Sequence, residues 1–287
     1  MIACRQLLDR LTSALRAAGV ASPRLDARLL LAHLLGVESG WLFSHPDHPL
    51  DDTQVAAALA LGERRCRREP VSRILGRREF WSLSFTIGPH TLDPRPDSET
   101  IVEAVLAAIA DRQAPLSILD LGTGSGCILL ALLSELPRAE GLGIDISAAT
   151  LAVASGNALS LSLDHRARFA CGDWGRGIDG LFDVITANPP YIRDHDIEDL
   201  EPEVAAFEPR AALAGGADGL DCYRALAADV VRLLRPGGIA VLEAGEGQAR
   251  DVAAILGAGG LTLVDIRRDL GGIERGVVMS RAAEPMR

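Results

Sequence analysis

The residues best suited to hold a ligand form a glycine-rich turn, Gly122-Thr123-Gly124-Ser125-Gly126, directly after the apolar segment Ile118-Leu119-Asp120-Leu121. Glycines let a chain turn sharply and let its backbone approach a bound molecule. A buried strand that runs into such a turn and then into a helix is typical of nucleotide sites. A dinucleotide fingerprint needs a glycine where this chain has Cys127, so pyrophosphate is not the first interpretation. A tight turn without any ligand is the alternative.

Two acidic positions further along the chain favour a ligand. Asp145 ends the next predicted strand, and Asp173-Trp174 follows the one after it. The first carboxylate can accept hydrogen bonds from ribose hydroxyls, and the second can accept one from an adenine amino group. The indole can pack against the adenine ring. This combination is typical of an S-adenosylmethionine site. The predicted cofactor-binding residues are Gly122, Thr123, Gly124, Ser125, Gly126, Asp145, Asp173 and Trp174.

The tetrapeptide Asn188-Pro189-Pro190-Tyr191 is the candidate chemical site, because it ends the predicted strand Phe182–Ala187. The Asn188 amide oxygen and the Pro189 carbonyl can converge on one NH2 group, since prolines supply no competing N–H. Two acceptors would orient a planar, weakly nucleophilic nitrogen for methylation, and Tyr191 can pack on its flat group. Alignment and fixed dipoles would supply most of the catalysis. A rigid loop without chemistry is the alternative.

The elements that must position these residues alternate between strand and helix from Leu116 onward, which favours a mostly parallel sheet covered by helices. Seven strands are predicted, with helices between most of them. The strands are Ser117–Leu121, Leu142–Ile146, Arg168–Ala170, Phe182–Ala187, Ile239–Glu243, Leu261–Ile266 and Val277–Ser280. Helices are predicted from the glycine turn to Leu136 and over Ala148–Leu159, Leu220–Leu234 and Gln248–Leu256.

The first part of the chain has a helical pattern instead. Leu7, Leu8, Leu11 and Leu15 have the spacing of one buried helix face, and Gly19 can end that helix. A second helix with its apolar face on Leu25, Leu29, Leu30, Leu34 and Leu35 should end near Gly36, and a third should cover Thr53–Arg68. A small helical bundle is therefore predicted. Between it and the sheet, Phe80–Ile87 favours a strand or hairpin.

The segment Asp93-Pro94-Arg95-Pro96-Asp97-Ser98-Glu99 should be stiff and extended because of its two prolines. Asp97 or Ser98 can cap the helix that follows.

Composition narrows the class of protein. With 48% hydrophobic and 24% charged residues, a full core is expected. No apolar run is long enough to span a membrane and no signal peptide is recognisable. Five scattered cysteines without a CxxC pair argue against disulfides or a zinc cluster, so we expect a cytoplasmic protein without a metal. The net charge of −10 disfavours a general nucleic-acid binder.

In these features the sequence resembles the HemK/PrmC family of N5-glutamine methyltransferases over nearly its whole length. The resemblance is carried by the helical N-terminal part, Pro70 to Gly76, Pro94 to Glu99, the glycine turn, Asn188 to Tyr191, Phe207-Glu208-Pro209 and Asp218-Gly219-Leu220-Asp221. Two positions depart from the family pattern. Asp93 replaces an aliphatic residue, and Asp97-Ser98-Glu99 replaces the commoner Glu-Thr-Glu.

The resemblance implies an α/β S-adenosylmethionine-dependent methyltransferase (Rossmann-like) fold, with a seven-stranded sheet whose last strand is inverted. It implies that Asn188 also contacts the cofactor, and that residues 188–191 bind the glutamine of the Gly-Gly-Gln loop of peptide chain release factors. Asn188, Pro189 and Tyr191 are the predicted catalytic residues. We expect a recognition bundle over residues 1–75, a hairpin linker over 76–92 and a catalytic domain over 93–287, in a monomer that contacts neither membrane nor nucleic acid.

Three alternatives stay open. Adenine-N6 methyltransferases use the same tetrapeptide, and a sister enzyme modifies a glutamine of a large-subunit ribosomal protein. A non-catalytic binding module is the third, although the intact motifs disfavour it. The acidic stretch between Asp194 and Glu208 follows the tetrapeptide, and it is either a solvated loop or a surface that steers a basic protein substrate.

Overall fold

The computed structural model describes residues 1–283, so the last four residues of the predicted catalytic domain lie outside the described part. The chain divides into two compact units. One comprises Met1–Arg77 together with Glu201–Phe207, and the other comprises Arg78–Leu200 and the chain from Glu208 onward. The short segment of the first unit therefore comes from the acidic stretch that follows the tetrapeptide.

The first unit is built from short helices and one pair of two-residue strands that pair antiparallel. Its elements up to residue 76 are β1 (Ile2–Ala3), α1 (Cys4–Ala17), α2 (Pro23–Leu35), α3 (Trp41–Ser44), β2 (Pro49–Leu50), α4 (Asp52–Cys66) and α5 (Val71–Leu75). The three long helices confirm the predicted bundle. The predicted face of α1 is confirmed, since its four leucines are buried.

The predicted face of α2 is partly wrong. Leu25 is 44% exposed, while Ala27 and Leu31 are fully buried beside Leu30. Leucine spacing alone missed the alanine, which needs little room where helices approach closely. Asp26 lies on the buried face because it accepts a hydrogen bond of 2.7 Å from Arg65 Nε. A buried charge is tolerated when it is paired in this way.

The second unit contains the sheet and the helices that cover it. Its elements, with the short α9 that belongs to the first unit, are β3 (Arg77–Phe80), β4 (Leu83–Thr86), α6 (Glu99–Ala108), β5 (Ser117–Leu121), α7 (Cys127–Glu135), β6 (Glu140–Asp145), α8 (Ala148–Ser160), β7 (Ala167–Cys171), β8 (Phe182–Ala187), α9 (Pro202–Ala205), α10 (Asp221–Leu233), β9 (Leu234–Glu243), α11 (Ala249–Ala258), β10 (Thr262–Arg268) and β11 (Glu274–Ser280).

Seven strands form one sheet in the order β10-β11-β9-β8-β5-β6-β7. Strands β5 to β9 are parallel to one another, whereas β11 is antiparallel to both β9 and β10. The order reverses at β5, so the carboxyl ends of β5, β6 and β8 meet at a switch point, where ligands bind in open α/β sheets. The predicted seven-stranded sheet with an inverted last strand is confirmed.

Both faces of the sheet are apolar, and the side chains of neighbouring residues in one strand point to opposite faces. In β8, Val184 packs into a core with α6 and α7, while Ile185 packs into another with α10 and α11. The central strands are therefore fixed from both sides, and the loops at their carboxyl ends leave a rigid frame.

The predicted hairpin is confirmed as β3 and β4, and its turn is unusual. Trp81 and Ser82 both have positive φ values, 52° and 57°, as a two-residue type I′ turn requires, although glycine or asparagine normally fills such positions. The Trp81 backbone N–H donates to Glu99 (2.8 Å) and its indole Nε1 donates to Glu135 (2.9 Å). These two carboxylates fix the turn.

Candidate active site

A cavity of about 350 Å³ opens at the carboxyl ends of β5, β6 and β8. Such a volume is within the ordinary range of small-molecule sites. Its walls come from the glycine turn, the ends of β6 and β7, the segment before α6 and the tetrapeptide. Of the predicted site residues, the cavity is lined by Gly122, Thr123, Gly124, Ser125, Asp145, Asp173, Trp174, Asn188 and Pro190.

The glycine turn forms one wall of the cavity. Gly122 and Gly124 have φ values of 73° and 57°, in the region that favours glycine. A side chain at Gly122 would bring its Cβ within 3.4 Å of the Trp174 ring, and a Cβ at Gly124 would meet only a carbonyl at 4.0 Å, facing otherwise open space. The turn therefore exposes backbone to the cavity. Gly126 is the N-cap residue of α7, and it does not line the cavity.

A buried carboxylate holds the turn in place. Asp120 accepts hydrogen bonds from the hydroxyls of Thr123 (2.6 Å) and Thr186 (2.7 Å), one on each oxygen. Burial raises the pKa of this carboxyl to about 6, against the effect of both hydroxyls. Asp120 thus joins the turn to β8 and does not face the ligand space.

The Asp145 carboxylate can accept more hydrogen bonds than the two that it receives from the protein. Its Oδ2 accepts from the Gly124 N–H (3.1 Å) and its Oδ1 from the Ser147 N–H (2.9 Å). Each carboxylate oxygen keeps a further lone pair. Because Asp145 lines the cavity, these lone pairs suit a diol such as that of ribose.

Asp173 and Trp174 close the far side of the cavity. The Asp173 Oδ2 accepts a hydrogen bond of 2.7 Å from Arg176, so Oδ1 is the oxygen that has no partner within residues 1–283. Trp174 has a φ of 53° and packs partly against the core under α10. Its ring beside Gly122 offers an apolar surface for a flat heterocycle.

Asn188 turns one end of its amide toward the protein. Its Nδ2 donates a hydrogen bond of 3.0 Å to the Ser98 hydroxyl, and no donor among residues 1–283 reaches its Oδ1. The neighbouring Pro189 is buried, and within the same residues its carbonyl accepts no hydrogen bond. Within residues 1–283 neither predicted acceptor is used by the protein itself, and of the two residues Asn188 lines the cavity whereas Pro189 does not.

Tyr191 lies beside the cavity wall, and it does not line the cavity. Side chains at Gly215, Gly219 or Gly245 would bring a Cβ within 3.0 Å of Tyr191 atoms, so glycines surround it on several sides. Its hydroxyl donates to Glu243 Oε1 (3.3 Å), and its carbonyl accepts from Gln248 (3.0 Å). The packing explains the glycine of Asp218-Gly219-Leu220-Asp221, a motif that was recognised only by resemblance.

Glu243 is a site residue that the sequence reasoning missed. It ends β9 next to the tetrapeptide and is 1% exposed. Burial raises the pKa of its carboxyl to about 7, opposed by the nearby Ser98 hydroxyl and the charge of Arg275. A glutamate at the end of a strand that otherwise reads Ile-Ala-Val-Leu was the available signal.

The other missed lining residues lie partly in the loops before α6 and after the acidic stretch, where periodicity gives no information. The rest lie in or next to β6, β7, α7, α8 and α10. The full set is His90, Leu92, Pro94, Arg95, Ser98, Cys127, Ile128, Ile144, Ile146, Ser147, Thr150, Gly172, Pro209, Ala211, Ala212 and Cys222. Two recognised motifs meet here, because Glu208 accepts hydrogen bonds from the Asp93 N–H and the Arg95 guanidinium, both 3.2 Å. The predicted side-chain cap of α6 is wrong, since neither Asp97 nor Ser98 caps it.

The acidic stretch is less free than its composition suggested. Glu203 accepts hydrogen bonds from Arg65 (2.9 Å) and Arg68 (2.7 Å), and Glu201 pairs with Arg68 at 3.2 Å. Two residues of the stretch that could steer a partner, Glu201 and Glu203, are thus engaged inside the first unit. Glu198 and Asp199 are exposed.

In residues 1–283 no helix is both long and apolar enough to cross a membrane. In the same range no group of three His, Cys, Asp or Glu side chains is placed to hold a metal ion.

The sheet order, the inverted strand and the cavity at the switch point define an S-adenosylmethionine-dependent methyltransferase. Residues 113–256 match the model of a methyltransferase domain family, and residues 6–76 match that of the PrmC N-terminal domain. The structure of a methyltransferase from Pyrococcus furiosus is similar in fold, with a TM-score of 0.52 and 16% identity, over 70% of this chain and 89% of that one.

The chain belongs to the release factor glutamine methyltransferase family. A member from Rhodospirillum rubrum is 53% identical over 278 residues, which cover 97% of this chain and 85% of the relative. A member from Agrobacterium fabrum is 44% identical over 270 residues, covering 93% of each chain. The resemblance noted from the sequence motifs is confirmed.

Proposed function

We propose that this enzyme transfers a methyl group from S-adenosylmethionine to the side-chain amide nitrogen, N5, of the glutamine in the Gly-Gly-Gln motif of peptide chain release factors. Family membership supports a release factor as the substrate, because the relatives carry that name. The geometry of Asn188 supports an amide nitrogen as the acceptor of the methyl group.

The residues of the cavity fit the cofactor. Asp145 has unused lone pairs for the ribose hydroxyls, and Trp174 offers a flat apolar surface for adenine. The exposed backbone at Gly122 and Gly124 can approach the methionine part. Asp173 can accept from the adenine amino group through Oδ1. When bound, S-adenosylmethionine supplies an electrophilic methyl group.

The observation that carries the proposal is the pair of available acceptors at the tetrapeptide. Asn188 Oδ1 and the Pro189 carbonyl can each accept one N–H of a carboxamide, which leaves the nitrogen lone pair directed at the incoming methyl. The acceptors stabilise positive charge as it develops on nitrogen, without reorganisation. The proton leaves after transfer, when the nitrogen has become acidic, so no base is needed first.

Tyr191 has a supporting role in this scheme. Its hydroxyl and carbonyl are tied to Glu243 and Gln248, so it holds the tetrapeptide at a fixed distance from the cavity. Contact between its ring and the substrate amide stays a prediction, as does the recognition role of the helical bundle.

The proposal is tested with labelled cofactor and four purified acceptors: a release factor, its Gly-Gly-Ala variant, a large-subunit ribosomal protein and duplex DNA. We expect label in the intact release factor alone, and fragmentation by mass spectrometry should place a single methyl on the glutamine amide. Equal labelling of the Gly-Gly-Ala variant would exclude this site. Preference for the ribosomal protein or for DNA would favour the alternatives.

A further inference from the structure

Ser98 stands at the start of α6, where a serine normally caps the helix by accepting a backbone N–H. Here its backbone is already helical, with φ −69° and ψ −15°, and its side chain makes no capping hydrogen bond. The residue is only 2% exposed. Helix formation therefore does not account for a buried hydroxyl at this position.

The hydroxyl is used by the tetrapeptide instead. Asn188 Nδ2 donates to Ser98 Oγ over 3.0 Å. A side-chain amide has a donor end and an acceptor end, so a partner at one end determines where the other end points. With its nitrogen held by Ser98, Asn188 keeps its oxygen for the cavity that it lines.

The surroundings of Ser98 determine the direction of this bond. Glu243, buried at the end of β9, lies close enough for the Ser98 hydroxyl to lower its pKa. One carboxyl oxygen of Glu243 accepts from Tyr191, and its Oε2 is buried without a donor within hydrogen-bonding distance in residues 1–283. No hydrogen bond joins the Ser98 hydroxyl to this carboxyl within residues 1–283, but the negative charge of the carboxylate attracts the serine proton, and the serine lone pairs then accept from Asn188.

The orientation matters because the opposite one would be inactive. An Asn188 amide rotated by a half-turn would present its NH2 group to the NH2 group of the substrate. Two donors would then face each other, and the acceptor that aligns the target nitrogen would be lost.

We infer that Ser98 is a positioning residue, whose hydroxyl holds the Asn188 amide with Oδ1 toward the methyl-accepting nitrogen. The kinetic consequence rests on the proposed function, whereas the orientation is a property of the free protein. Two independent measurements can therefore separate a failure of one from a failure of the other.

The first measurement uses the fact that the chain contains two asparagines, Asn157 and Asn188. Labelling with ¹⁵N-asparagine gives two side-chain NH2 signals. Asn157 is fully buried and donates to the carbonyls of Thr86 (3.0 Å) and Ser125 (2.9 Å), so it is an internal reference. In Ser98→Ala the Asn188 NH2 group loses one hydrogen bond, so we expect its hydrogen exchange to accelerate about tenfold. The exchange rate of the Asn157 NH2 group should not change.

The second measurement is steady-state methylation of a release factor. Ser98→Ala should lower kcat about 10-fold to 100-fold, with the Kd of the cofactor changed by less than about threefold. Thr and Val have nearly the same shape and differ only in a hydroxyl that Val replaces by a methyl group, so Ser98→Thr should retain activity and Ser98→Val should lose it. Ser134→Ala is the control, because that hydroxyl donates only to a carbonyl within α7.

Unchanged Asn188 exchange and unchanged kcat in Ser98→Ala would overturn the inference while leaving the proposed function intact. If Ser98→Ala does not fold, equal behaviour of the Thr and Val variants would overturn it. If the wild type methylates no release factor, the proposed function fails, and the amide exchange alone decides whether Ser98 orients Asn188.

Discussion

Two glutamates that are both largely removed from solvent behave in opposite ways. Glu203, in the helical unit, accepts from Arg65 and Arg68, and although burial acts to raise it, these hydrogen bonds lower the pKa of its carboxyl to about 2. Glu243, in the unit that contains the seven-stranded sheet, has a tyrosine hydroxyl at 3.3 Å, and burial raises the pKa of its carboxyl to about 7. The residue type is the same, so the difference comes from the deeper burial of Glu243 and from the two arginines that Glu203 contacts.

The comparison separates a structural network from a functional one. Around Arg65, every charge has an opposite charge: Asp26 and Glu203 both contact the guanidinium, which is itself only 7% exposed. Around Asn188, the hydroxyls and amides have a single carboxyl nearby, that of Glu243. Some acceptors there, such as Asn188 Oδ1 and Glu243 Oε2, receive no hydrogen bond within residues 1–283. A satisfied network stabilises the fold, while leftover acceptors are what a substrate needs.

The largest effect is expected from removing the leftover acceptor itself. Asn188→Ala should lower kcat by more than about 100-fold, because a preorganised dipole at the reacting nitrogen is lost. The melting temperature should stay close to that of the wild type, since Asn188 is partly exposed to the cavity. Steady-state methylation of a release factor and a thermal melt check both parts, and turnover near the wild-type rate would rule out the mechanism.

Breaking the satisfied network should affect stability and leave chemistry largely intact. Glu203→Gln should destabilise the helical unit by about 2 kcal/mol at pH 7, because the buried positive charge of Arg65 loses one of its two negative partners. The pKa of the Glu203 carboxyl is lower in the folded protein than in the unfolded chain. The stabilisation from its ionised form therefore exists above pH 4.5 and is lost as the pH falls toward 2. The difference between variant and wild type should therefore shrink in acid.

Native-state hydrogen exchange of the α4 amides, read by mass spectrometry, measures this change in the helical unit alone. Glu201→Gln is the matched control, since Glu201 also contacts Arg68 but its side chain is 77% exposed. An exposed pair should contribute less than about 0.5 kcal/mol. Equal effects of the two substitutions would show that burial is not what makes Glu203 important.

Glu243 should produce the opposite pH dependence. Its folded pKa, about 7, lies above the ordinary 4.5, so the folded state binds more protons in that window and stability falls as the pH rises from 4.5 to 7. Glu243→Gln should remove about 3 kcal/mol of this decline. Urea unfolding at several pH values measures it. A smaller decline should persist, because Asp120 has a pKa of about 6. A profile identical to wild type would mean that Glu243 is ionised throughout.

The sequence predicted the parts of the molecule that repeat a pattern. Ser117–Leu121 and Phe182–Ala187 are strands with the predicted ends, since apolar runs bounded by glycine or proline leave little choice. The face of α2 was partly wrong because an alanine and a paired aspartate are invisible to leucine spacing. Asp145 and Asn188 could be placed, because parallel strands bring their carboxyl ends to one edge.

The unpredicted part of the site depends on contacts between residues far apart in the chain. Ser98 and Asn188 are 90 positions apart, and Tyr191 and Glu243 are 52 apart. A serine before a helix predicts a cap, and only the fold reveals that its hydroxyl points elsewhere. The acidic stretch likewise gave no sign that Glu203 would find arginines 135 and 138 positions away.

The smallest effect is expected from the acidic residues that the arginines leave unpaired. Glu198 and Asp199 are exposed in a short turn after the tetrapeptide. A release factor acts against ribosomal RNA, so we propose that its surface near the target glutamine is basic and that these two carboxylates steer it. Replacing Glu198 by Gln and Asp199 by Asn should raise the KM for the whole release factor about threefold at low salt.

The rise should disappear at about 0.5 M salt, where charges are screened over a few ångströms, and turnover of a short glutamine peptide should not change. The matched control replaces Glu140 by Gln and Asp164 by Asn. Both are exposed, and both lie near the amino ends of β6 and β7, away from the carboxyl ends that line the cavity. Because the two double variants have the same net charge, a general charge effect would raise the KM equally in both. If the two double variants have equal KM values for the release factor, the turn is a solvated connector and docking depends on other surfaces.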